Sequence, residues 1–178
     1  MNRRAFIVAA GAWISVGAAF QPLPDFSGQW TVEPVAATTT PPAPGAAPPR
    51  GDMGSGWGSP LTIAQDATQL VVEQALFSRY DLQPPLRFVY RLDGSETRNA
   101  VMTGHTAQER VSRAAWDGRT LRITTIYPAV DPVSGRAFTT EVIHTLSLES
   151  PTTLVVEATR GGALGGQATK TRTVYRKG

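Results

Sequence analysis

Cysteine is absent from this 178-residue chain, which removes disulfides, thiolate nucleophiles and cysteine metal ligands together. It also removes the acylated cysteine of a lipoprotein. Charge is scarce: 17% of residues are charged against 41% hydrophobic, and 17 Lys and Arg face 14 Asp and Glu, for a formal net charge of +3. Only two of the cations are lysines, Lys170 and Lys177. So thin an excess offers no stripe to track phosphates, which speaks against nucleic acid as a partner. Long apolar runs are missing as well. The nearest approach, Ala5 to Phe20, is diluted by Gly and Ala and falls short of the ~20 strongly apolar residues of a membrane span. The apolar content is nonetheless too high for a disordered chain, and the length suits one domain with a real core.

What stands at the N-terminus is MNRRAFIVAAGAWISVGAAF. Arg3 and Arg4, an uncharged run and the small residues Gly17-Ala18-Ala19 follow the order of a bacterial export signal. Cleavage after Ala19 makes residues 1–19 a signal peptide and 20–178 a single domain, exported to the periplasm or beyond, with no stable membrane insertion once the signal is gone. Without Arg3 and Arg4 the formal charge falls to +1. Asn2-Arg3-Arg4-Ala5-Phe6-Ile7 resembles a twin-arginine signal, which implies transport of an already folded chain. A general secretion signal that happens to hold an Arg pair fits the same residues.

Residues 34–60 are rich in Pro, Ala and Gly, with almost no apolar side chain besides Trp57. A segment like this buries too little to offset its ordering entropy, so it is expected to be a disordered loop, either a lid or attachment arm or a neutral insertion. From Leu61 the texture becomes β. LTIAQDATQLVVEQ alternates around a polar turn, and further turns are expected at Asp93-Gly94, Asp117-Gly118 and Ser150-Pro151, each between two paired strands. Gln108–Trp116, Ala137–Glu149 and Lys170–Lys177 complete a set of about 8–10 strands with no convincing helix.

The fold class is therefore all-β, an antiparallel up-and-down meander. With one apolar face per strand, it must pair two sheets or close into a barrel to bury those faces and remove its edges, and closure is the expectation. In the longest strand Phe138, Val142, His144, Leu146 and Leu148 share the inner face. DFSGQW, with Phe26, Gly28 and Trp30 at intervals of two, resembles the Phe-x-Gly-x-Trp signature of the lipocalin and fatty-acid-binding (calycin) superfamily. The resemblance implies a barrel whose floor is closed by Trp30, with a basic side chain of the last strand lying across it. Arg176 is the first choice for that cation and Lys177 the second.

Chemistry is sparse. His105 and His144 lack the spaced partners of a metal site, so no metal and no cofactor is expected. His144, on an apolar face, reads as a core residue, a polar contact in a cavity or, by likeness to nitrobindin-like barrels, an axial haem ligand. No nucleophile elbow occurs, GGALGGQ lacks the residues of a phosphate loop, and no enzyme class stands out. Tyr90, on the face of Phe88 and Leu92, Tyr127, on the face of Leu121 and Ile123, and Arg113, grouped with Val111 and Ala115, join His144 as the expected ligand-binding residues. The sequence thus points to an exported lipocalin-like protein that binds a small apolar or amphipathic ligand without catalysis. The alternative is a non-catalytic envelope module with a filled barrel, acting on another protein through its outer surface or the Trp57 loop.

Overall fold

The computed structural model describes residues 22–34, 57–74, 85–103, 106–130, 134–161 and 168–178. The expected signal peptide, residues 35–56 of the proline-rich segment, His105 and the glycine-rich run at 162–167 lie outside the described residues.

Ten strands follow one another: β1 (Gly28–Val32), β2 (Leu61–Gln65), β3 (Gln69–Gln74), β4 (Leu86–Arg91), β5 (Asp93–Thr103), β6 (Thr106–Asp117), β7 (Thr120–Val130), β8 (Ala137–Ser150), β9 (Thr153–Arg160) and β10 (Thr169–Lys177), with no helix among the described residues. They form one antiparallel sheet in the order β4-β3-β2-β1-β10-β9-β8-β7-β6-β5. Its two end strands, β4 and β5, come back side by side, so the meander is a nearly closed barrel. Alternation sets the wall, because side chains two apart share a face. β2 buries Leu61 and Ile63 and exposes Thr62 and Ala64, while β3 buries Leu70, Val72 and Gln74.

At one end, the floor, lie the four tight turns β2–β3, β4–β5, β6–β7 and β8–β9. Gly118, with φ 59°, supplies the left-handed residue of the turn after Asp117. The stretch before β1 crosses this end: Pro24 and Pro22 carbonyls accept from Gln65 Nε2 (2.9 Å) and Arg119 Nη1 (3.1 Å), and Phe26 N–H donates to Gln65 Oε1 (3.0 Å). Phe26 stacks on Trp116 with centroids 5.7 Å apart, and Trp30 Nε1 donates to the Phe26 carbonyl at 2.8 Å. Phe26 and Trp30 are buried and Trp116 partly so.

The cation over Trp30 is Lys177, its Nζ 5.4 Å from the ring centroid. Arg176, the first choice from sequence, faces outward to Glu33 (3.2 Å) and Thr153 Oγ1 (2.7 Å). Parity explains the correction: Tyr175 is wholly buried, so Lys177 follows it onto the inner face and Arg176 cannot. Gly28 lies beneath the same lysine at φ 144°, and a Cβ there would run into Lys177 Cε. The three residues of the signature thus have three roles: Phe26 plugs, Gly28 makes room and Trp30 seals.

β1 and β10 join by a backbone ladder that pairs Trp30 with Lys177 and Val32 with Tyr175. β4 and β5 do not. The turn expected at Asp93-Gly94 is present at Leu92, but Asp93 pairs with Ala115 of β6, and the hairpin partners are not laddered to each other. The buried Asn99 stands between them instead, accepting from Val89 N–H at 2.8 Å and donating to the Val89 carbonyl at 3.0 Å. Thr97 Oγ1 accepts from Arg91 N–H at 3.2 Å in the same way. Side-chain amide and hydroxyl groups thus bond to the β4 backbone where a ladder would otherwise run.

Candidate functional site

The interior has an apolar part and a polar part. Buried polar residues other than Arg110 include Gln74, Asn99, Ser112, Thr125 and His144. Ser112 and Thr125, on neighbouring strands β6 and β7, share a hydrogen bond of 2.9 Å. Beside the β4–β5 seam the rings of Phe88 and Tyr90 stack at 6.4 Å, and Arg110 reaches over Phe88 (5.7 Å from Cζ to centroid) and Tyr127 (4.9 Å). Burial pushes the Tyr90 phenol far above its ordinary range, Tyr127 adds to the push and Arg110 opposes it. Tyr90 is therefore a hydrogen-bond donor at any ordinary pH.

Of the residues expected from sequence, Tyr90 and Tyr127 meet in this cluster. His144 is buried in the wall of β8, paired with Ile123 of β7 and Ala158 of β9. Its ring is covered by Trp57 at 5.4 Å. Trp57 itself is a correction. It belongs to the segment expected to be a disordered loop, yet only 5% of its surface is exposed, and the following Gly58 N–H donates to the Tyr175 hydroxyl at 2.6 Å. An indole is too large an apolar surface to leave in water when the barrel's apolar interior can take it.

Arg113 is the other correction. It points outward and lies 3.5 Å from Glu96, far from the interior tyrosines' face. The inner arginine is Arg110, only 6% exposed. Val111 and Ala115 suggested the wrong face of β6, but the Asp117-Gly118 turn carried the signal: a tight turn there pairs Trp116 with Leu121 and Ala114 with Ile123. Cross-strand partners share a face, and Leu121 and Ile123 are fully buried, so Ala114, Ser112 and Arg110 must be inside.

At the floor end of the seam, Leu23, Val89, Leu92 and Trp116 line a surface groove of about 700 Å³. No protein-family model, curated protein or solved structure matches this chain. What the site does must therefore be argued from its own residues.

Proposed function

We propose that this chain is an exported, lipocalin-like binding protein that receives a small amphipathic molecule inside its barrel. The observation that carries this reading is the interior wall where Tyr90, Tyr127 and Arg110 meet. A barrel serving only as a spacer is more stable when filled with Leu, Ile and Val, because each buried polar group costs free energy unless paired. Export rests on the Arg-led apolar N-terminus. The outer wall supports a barrel bathed in water: Arg98 pairs with Glu109 at 2.7 Å and Glu96 at 2.9 Å, and Lys170 with Glu157 at 3.0 Å, where a membrane barrel presents an apolar band.

The rival reading, an envelope module acting through its outside, is favoured by the groove beside Leu23, itself 54% exposed. Titration with phenylnaphthylamine, an uncharged apolar fluorophore, separates the two. Interior binding gives a saturable rise in fluorescence that Val142→Trp, which adds bulk at a buried position of the wall, abolishes and Val89→Glu, in the groove, leaves alone. The reverse pattern, or no saturable binding, rejects the interior site.

A further inference from the structure

We infer that Arg110 recognises a single oxyanion carried by an otherwise apolar ligand. This rests on the interior-binding reading and names the chemistry of what binds. Arg110 is 6% exposed, and among the described residues neither its Nε nor its Nη1 has a hydrogen-bond partner. The rings of Phe88 and Tyr127 attract the cation but accept none of its in-plane N–H bonds. A lysine in such a place could shed its proton; a guanidinium cannot.

Among the described residues, no neighbour supplies the missing acceptor. Asn99, opposite Arg110 in the β5–β6 register, has its amide oxygen and nitrogen engaged by Val89. Glu109, next in the chain, turns outward to Arg98 at 2.7 Å, and Glu96 is held by the same arginine at 2.9 Å. Among the described residues, the buried polar set contains no carboxylate at all. A buried cation without a counter-ion costs several kcal/mol on general grounds, and an incoming oxyanion removes that cost through charge-assisted hydrogen bonds. The apolar body of the ligand would lie against the aromatic and aliphatic lining.

Two fluorophores with one ring system test this: anilinonaphthalene sulfonate, an anion, and phenylnaphthylamine, which is neutral. The sulfonate should bind the wild-type chain ~10–100-fold more tightly than Arg110→Met, the effect of hydrogen bonds to a charged group. The neutral probe should bind both alike. Without ligand, Arg110→Met should melt no lower than wild type, since it removes an uncompensated charge, and Arg110→Lys should retain part of the sulfonate preference. Equal sulfonate binding by wild type and Arg110→Met overturns the inference, as does a marked loss of stability in Arg110→Met, which would make the guanidinium a structural cation. Binding of the neutral probe alone to wild type overturns this inference and leaves interior binding standing. Binding of neither overturns both.

Discussion

Between β1 and β10 the barrel closes through a backbone ladder sealed by Trp30 and Lys177, whereas between β4 and β5 it closes through the side chains of Asn99 and Thr97. A ladder is made of groups every residue carries, so the first joint depends on packing and tolerates changes of outward side chains. The second depends on one buried amide. It also lies beside Phe88, Tyr90 and Arg110, so the barrel wall is most easily altered next to its polar interior.

Mutations sharpen that contrast. The largest effect is expected at the laddered joint, where Trp30→Ala empties the floor and should cost about 3–5 kcal/mol in urea denaturation. Next comes the seam. Asn99→Ala should cost about 1–3 kcal/mol, because it strips Val89 of both partners. It should also speed amide exchange at Val89 while exchange across Gly28–Val32 is unchanged; equal loosening at both joints would break the comparison. Lys177→Met, which keeps the stem over Trp30 and removes the charge, should cost only about 0.5–1 kcal/mol.

The smallest effect is expected from the turns that flank the two joints. Asp66 Oδ1 accepts from the N–H groups of Thr68 (2.7 Å) and Gln69 (2.9 Å), and Asp93 Oδ1 from Ser95. Both carboxyls are held below the ordinary value, Asp66 first by the Thr68 N–H and Asp93 first by the Ser95 hydroxyl. A depressed folded pKa gives stability that is present above the unfolded value of about 3.9 and is lost as pH falls through the folded one. Urea midpoints at neutral pH and at about pH 3 should therefore lie closer together in Asp66→Asn than in wild type.

Much of this architecture is legible in the chain. Alternation in LTIAQ and QLVVEQ, the Asp-Gly turns and the spacing of Phe26, Gly28 and Trp30 each reflect local physics, and all ten strands follow from them. The candidate site was harder to read because its decisive features are not local. Arg110 and Arg113 are alternatives until the β6–β7 register is counted from the turn, and Asn99 bridges β4 and β5 only because the sheet curls to bring its ends together. Trp57 follows a run of Pro, Ala and Gly that gives no hint of its burial.

The most direct test of an interior anion site is to follow the Arg110 Nε–H resonance by NMR while anilinonaphthalene sulfonate is added. The account predicts that this signal shifts and gains protection from solvent exchange, with nuclear Overhauser contacts from the probe to the rings of Phe88 and Tyr127. An unmoved Arg110 signal, accompanied by shifts at Val89, Leu92 and Trp116 in the outer groove, would contradict it.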